Sequence, residues 1–385
     1  MRWRQPGNWL IVFINYDDNR ELYLPANSYV TLGRSGLRVS PFTLGAMTFG
    51  DDHGWGTSPA EAADILAAYL DRGGNSIDTA NIYTGGHSEK IIGDYFGAHP
   101  DRRDRVVLGT KFFGNLYAGD PNGGGAGRKG IVQQLENSLR RLQTDYVDLY
   151  WLHNYDPVTP IEETLRALDD LVTAGKVRYV GLSDLPAWKV AESATIAQFR
   201  GWAPVTALQL EYSLLERTSE AELIPAARAL GLGVLPWSPL KNGFLSGKYA
   251  RGRSAPVDSA RSGMPALFGT PNEHDYQVID TAREIAAELE VGPAAVALAW
   301  VQGRPGISST IIGARRVDQL EANLAALDVT LTEDQRHRLD EVSAPQLSFP
   351  VAANRTAPML AFGGTTVDGQ AWDEFPTLAS SSNRY

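Results

Sequence analysis

The feature that most constrains this chain is a repeated alternation between short strand-like runs and segments of helical period. The strand-like runs fall at residues 41–45, 76–78, 106–111, 147–153, 177–182, 207–210, 233–237 and 310–312. Several are continuous apolar stretches, which is what parallel strands buried on both faces require. Between them, Ala62, Ile65, Leu66, Tyr69 and Leu70 share one helical face, as do Ile131, Leu135, Leu139 and Leu142, and Leu165, Leu168 and Val172. Further helical patterns run from about Ser88, over 186–199, over 220–230 and over 317–327.

Helix starts and stops carry their own signals. Ser58-Pro59-Ala60-Glu61 and Thr159-Pro160-Ile161-Glu162 both have the form of a capping box with proline at the first helical position, and glycines at 73, 74 and 175 end the helices that follow. Eight such alternations are the count of an α/β TIM (β/α)8 barrel, whose functional groups sit at the C-terminal ends of the strands. A doubly wound open sheet is the structural alternative, but its glycine fingerprint is missing after the first strand.

Ahead of the first run, YVTLGRSGLRVS places two β-prone pieces around Gly33 to Gly36, the pattern of an N-terminal β-hairpin. The expected organisation is an extension over 1–28, one barrel domain over 29–342 and a tail over 343–385. Residues 251–271 form a Gly-, Ser- and Pro-rich loop carrying Phe268, and the tail carries Phe349, Met359, Phe362, Trp372 and Phe375. Packing on the barrel surface and walling of a pocket are both open to these segments.

Composition removes several functions. Acidic residues number 45 against 35 basic ones, for a net charge of -10, and no basic stripe offers itself to nucleic acid. Cysteine is absent, which excludes disulfides, thiol nucleophiles and cysteine metal sites and agrees with a reducing, cytoplasmic setting. The apolar run at residues 9–14 is too short to span a bilayer and lacks a signal-peptide cleavage site, so no membrane association is expected. The six histidines include no H-E-x-x-H and no close pair, and no G-x-S-x-G elbow occurs. Gly125 to Gly130 matches G-x-G-x-x-G, yet a long loop rather than a strand precedes it, so a flexible loop is expected there.

Four polar residues remain, in consecutive strand-helix units: Asp78 at the end of its strand, Tyr83 in the loop beyond, Lys111 and His153 at the ends of the next two strands. Singly, each has a bland reading as a structural ion pair or a satisfied core histidine. Together they suit one task, because an ammonium beside a phenol favours the phenolate and brings the tyrosine toward service as an acid.

With these residues the sequence resembles the aldo-keto reductase superfamily. The likeness runs through TLGRSGLRVSPFTLGAMTFG, IDTANIYTGGHSE, DLYWLHNYD, GKVRYVGLSD, ALQLEYSLL, GVLPWSPLKNGFLSGKY and STIIGARRVDQLEANL, covering about residues 29–342. It implies a TIM barrel that reduces aldehydes or ketones with NADPH, with Asp78, Tyr83, Lys111 and His153 as the catalytic tetrad. It further implies that Ser183, Asp184 and Gln209 hold the nicotinamide carboxamide and that Trp237 stacks on the ring. Ser238, Leu240, Gly243, Gly313, Arg315, Gln319 and Asn323 complete the implied cofactor set. Two positions depart from the family pattern: Asp184 stands where asparagine is usual, and Trp237 where tyrosine or phenylalanine is. Trp55 and Asn154 are expected to wall a pocket for a small carbonyl substrate, and a homo-oligomer is compatible with the sequence. The alternatives are a nucleotide-binding, channel-associated regulatory subunit and a Schiff-base lyase using Lys111.

Overall fold

In a computed structural model, residues 26–52, 54, 56–249 and 271–379 are described. Residues 1–25, most of the expected extension, and the loop with Phe268 lie outside them, as does Trp55.

Among the described residues ten strands precede the tail: β1 (Val30–Thr31), β2 (Arg38–Val39), β3 (Phe42–Gly45), β4 (Ser76–Asp78), β5 (Val107–Phe112), β6 (Val147–Leu152), β7 (Val177–Ser183), β8 (Val205–Glu211), β9 (Gly233–Trp237) and β10 (Thr310–Gly313). The last eight form one all-parallel sheet in the order β10-β3-β4-β5-β6-β7-β8-β9. The sheet curls on itself: Val234 of β9 bridges Ile307 just before β10, and Ser308 donates its N–H to the Val234 carbonyl at 2.9 Å. The result is a TIM (β/α)8 barrel, with helices such as Pro59–Asp71, His87–Ala98 and Arg128–Leu142 laid on its outside.

The period-two geometry of strands sorts the side chains into two cores. Leu108 and Phe112 of β5 and Tyr150 and Leu152 of β6 point out against the helices, while Val107, Leu149 and Trp151 join Ala207, Leu235 and Ile311 inside the barrel. The antiparallel hairpin β1–β2 closes the N-terminal end of that interior. Its Leu32 is fully buried there, and the turn beyond docks through the Arg34 N–H on the Gly231 carbonyl at 2.8 Å. Gly33 has φ of +56°, and a Cβ on it would sit 2.6 Å from the Gly233 nitrogen and the Thr206 carbonyl oxygen, so only glycine fits.

The Ser58–Glu61 capping box forms, but the one expected at Thr159–Glu162 does not. Pro160 occupies the cap of the helix Ile161–Thr173, and Thr159 Oγ1 instead donates to Asp156 Oδ2 at 2.8 Å. Asp156 also accepts from the N–H groups of Ala126, Val158 and Thr159. It therefore outcompetes Glu162 for the local donors. Two helices absent from the sequence reading, Glu273–Glu288 and Pro293–Gln302, lie between β9 and β10. In the tail, Phe349 and Phe362 are exposed, and the Gly364 to Trp372 backbone bond stays within the tail. Among the described residues no helix is long and apolar enough to cross a membrane.

Gly181 of β7 faces the buried Trp151 so closely that a Cβ would lie 2.2 Å from its ring. Gly181→Ala should therefore lower the unfolding free energy by about 1 to 3 kcal/mol, the usual cost of overpacking. Gly36→Ala, where a Cβ meets nothing, should stay within about 0.5 kcal/mol of the parent in the same urea titration.

Candidate active site

The cluster sits at the C-terminal ends of β4 to β6. β4 is three residues long and ends at Asp78, after which the chain turns through Thr79 to Ile82 into the short 3-10 turn Tyr83–Gly86. Thr84 and Gly86 of this turn take φ of +50° and +96°. The turn is tied down on its outer side by the next helix. Ser88 Oγ donates to the Ala46 carbonyl at 2.7 Å, and the fully buried Glu89 accepts from Thr110 Oγ1 and Arg141 Nε, both at 2.6 Å. A Cβ on Gly86 would meet Arg141 at 2.9 Å, so the guanidinium lies directly against the turn that carries Tyr83.

Inside, Lys111 has no solvent exposure. Its three N–H groups are all used: one on Asp78 Oδ2, one on the Thr79 carbonyl at 2.9 Å and one on the Tyr83 hydroxyl at 3.0 Å. Gln209 Nε2 of β8 donates to the other Asp78 oxygen at 3.1 Å. His153 follows β6 and holds its N–H on the Phe112 carbonyl at 3.1 Å. Its ring stands edge-on to that of Tyr83, with centroids 5.7 Å apart and planes at 81°. The structure thus brings Asp78, Tyr83, Lys111 and His153 together.

Burial would lower the Lys111 ammonium, but Asp78 and Tyr83 outweigh it and hold it above its ordinary range, so it stays charged. Burial pushes the Asp78 carboxyl up, against the pull of Lys111 and Gln209. It also pushes the Tyr83 phenol up, and the pull of Lys111 does not reverse this. That corrects the expectation from sequence that Lys111 brings the phenol down: removal from water is the larger effect. Tyr83 is consequently a fully protonated donor at neutral pH. Burial, then the Lys111 charge, lower His153 to about 3, so its imidazole is neutral.

Around this cluster, Ser183 ends β7 and Gln209 lies two residues before the end of β8, and both are buried. Asp184 follows β7; Trp237, at the end of β9, donates its indole N–H to Asp184 Oδ1 at 3.0 Å. Ser238, Leu240 and Gly243 form the tight turn after β9, held by the Asn242 N–H on Ser238 Oγ and the Gly243 N–H on the Leu240 carbonyl. Gly313 ends β10 and is exposed, with open space where a Cβ would be. Asn323 Nδ2 donates to its carbonyl at 3.1 Å, and Gln319 Oε1 accepts the Arg315 N–H at 3.0 Å. These side chains fix the loop ahead of the helix Val317–Leu324. Asn154 is exposed at the mouth and caps the Tyr155 N–H.

The glycine run at 125–130 is not a phosphate cradle: the N–H groups of Ala126 and Arg128 are taken by the carboxylates of Asp156 and Glu163. Thr79 was missed by sequence reasoning because its carbonyl does the work, which side-chain identity cannot signal. Glu89 was within reach, as the one acid in the stretch HSEKII after Tyr83. Among the described residues, no group of three or more His, Asp or Glu side chains could hold a metal ion.

A closed parallel barrel with a polar cluster at its strand ends has the layout of a barrel enzyme. The model of the Aldo/keto reductase family matches residues 41–344, and the chain belongs to that family. It is 37% identical to "Uncharacterized oxidoreductase YrpG" of Bacillus subtilis (strain 168), over 89% of this chain and 99% of that one. It is 33% identical to "Versiconal hemiacetal acetate reductase" of Aspergillus parasiticus, over 84% and 98% of the two chains. A rice protein (Oryza sativa subsp. japonica) named "Probable voltage-gated potassium channel subunit beta" is 38% identical over 78% and 91%. Family and reductase relatives together make the protein an oxidoreductase.

The His153 shift has a sign that can be tested. The folded chain takes up this proton only near pH 3 and the unfolded one near 6.5, so stability present above 6.5 is lost as pH falls toward 3. Wild type should lose about 1 to 2 kcal/mol at pH 5 from this residue. His153→Gln should show a flatter decline in denaturant midpoints, and the His153 ring resonance should not titrate between about pH 5 and 8.

Proposed function

We propose that the protein reduces aldehydes or ketones to alcohols with NADPH, and that Tyr83 is its general acid. The observation that carries this reading is the Tyr83 hydroxyl in contact with an ammonium that has no other free donor. When the phenol gives up its proton to a carbonyl oxygen, the phenolate is left beside Lys111, which stabilises the developing charge. Asp78 keeps Lys111 charged and fixed. His153, neutral, presents a ring N–H to orient the carbonyl oxygen, while its low basicity prevents it from competing for the proton.

The residues around the cluster suit a nicotinamide dinucleotide. Trp237 offers an aromatic face at the mouth, Ser183 and Gln209 offer amide-binding groups, and the open Gly313 with Arg315 at a helix N-terminus suits the adenosine phosphate end. When bound, the cofactor supplies the hydride. Reductase relatives support the carbonyl reaction. The rice relative supports a second reading, a channel-associated subunit that binds the nucleotide with little turnover. The reaction site is proposed to act in the cytoplasm on a small molecule.

The deciding experiment is NADPH oxidation against a panel of aldehydes, diketones, sugars and aromatic ketones. Tyr83→Phe should reduce kcat by about 100-fold or more while NADPH affinity stays within about twofold, since general acid catalysis contributes roughly 10² to 10⁴. A variant retaining half of wild-type kcat removes Tyr83 as the acid, and a wild type that binds NADPH tightly but turns over nothing on the panel supports the subunit reading.

Cofactor choice follows from Arg315. A 2′-phosphate needs charged donors, and a charge-assisted hydrogen bond is worth roughly 1.5 to 3 kcal/mol, so Arg315→Ala should weaken NADPH by about 10-fold to 150-fold and barely affect NADH. Equal losses for both dinucleotides in a binding titration would place the phosphate elsewhere.

A further inference from the structure

Asp184 and Trp237 make a contact that proton donation by Tyr83 does not require. Asp184 has φ of +57°, in the left-handed region that non-glycine residues occupy at some cost. Its backbone is held there by its N–H on the Gln209 carbonyl at 3.1 Å. The carboxylate is thereby turned onto two donors, the Trp237 indole N–H at 3.0 Å on Oδ1 and Ser183 Oγ at 3.1 Å on Oδ2. An indole N–H has a single donor direction, so an acceptor fixed on a strained backbone sets the plane of the ring. A carboxylate cannot donate, so it cannot serve the oxygen of a carboxamide, and both of its own oxygens are engaged.

We propose that Asp184 is a positioning residue that fixes the plane of Trp237 and sets one negative charge beside the ring lying on it. The site thereby holds the oxidised, cationic nicotinamide more tightly than it would with a neutral residue at 184. This rests on the reading of Trp237 as the nicotinamide-stacking face.

The charged groups around Asp184 do not cancel it. Lys111 on β5 is committed to Asp78 and Tyr83, and Asp78 itself is screened behind Gln209. Glu211 on β8 adds a second negative charge, which Lys241 neutralises through a 2.8 Å bond. Burial, opposed by Trp237 and Ser183, raises Asp184 to about 6. Its charge is therefore present at pH 8 and is lost as pH falls through 6.

The test measures calorimetric Kd values of the full chain for NADP+ and NADPH, with the Trp237 emission of ligand-free protein taken as the difference from a matched Trp237→Phe background. Asp184→Asn keeps an oxygen acceptor for the indole and loses the charge. It should leave Trp237 emission unchanged and shift the NADP+ to NADPH affinity ratio by about 5-fold to 30-fold against NADP+ near pH 8. Near pH 5 the wild-type ratio should approach that of the Asn variant. Asp184→Ala, lacking the acceptor, should also shift Trp237 emission. An unchanged ratio in the Asn variant, or unchanged Trp237 emission in the Ala variant, overturns the proposal. If wild type binds neither dinucleotide, the functional reading fails and this inference with it. Emission that then still responds to Asp184→Ala would keep only the contact.

Discussion

An ammonium with no exposure to water is the constraint around which the centre of this barrel is arranged. Lys111 is tolerable in the interior only because Asp78, the Thr79 carbonyl and the Tyr83 hydroxyl accept hydrogen bonds from its three N–H groups. Breaking a buried pair by deleting one partner typically costs about 3 to 5 kcal/mol, since the other is left charged and unpaired. Much follows from that one charge. It fixes the end of β4, recruits Gln209 from across the barrel to the free Asp78 oxygen, draws in the turn bearing Tyr83 and helps keep His153 neutral.

The support for this charge is layered from the outside. The buried Glu89 and the half-buried Arg141 form a second ion pair between the helices His87–Ala98 and Arg128–Leu142, and the guanidinium packs under Gly86. Glu89 also takes the hydroxyl of Thr110, the neighbour of Lys111 on β5. The phenol and the ammonium are thus held from one network, which limits how far their 3.0 Å contact can drift. Precision at the centre comes from polar packing on the opposite face of the same strands.

The barrel was legible because its strands are buried on both sides, which writes them as apolar runs such as Leu149 to Leu152. The cluster was legible because period-two geometry carries Lys111 inward once the strand is placed. Other features depend on competition between partners that a sequence does not rank. Thr159 looked like a helix cap, yet Asp156 gathers the same donors first. The Tyr83 phenol looked depressed by Lys111, but the depth of its burial, the larger influence, is a property of the closed barrel. The helices Glu273–Glu288 and Pro293–Gln302 lie in a stretch whose alanines blur the apolar stripe.

The order in which the sheet closes has a consequence for how the chain comes off the ribosome. β3 pairs with β4 within a few dozen residues, but its other edge must wait for β10, as Phe42 pairs with Thr310. The floor must wait for β8 and β9, because Gly33 seats between Gly233 and the Thr206 carbonyl. Until the last strand emerges, the nascent chain is an open sheet with bare edges at β3 and β9. Contacts so distant in sequence form slowly, and an unpaired parallel edge invites other chains. Burdened in this way, a barrel of this kind is most vulnerable to aggregation during its own synthesis, when a chaperone that shields the β3 edge has most to offer.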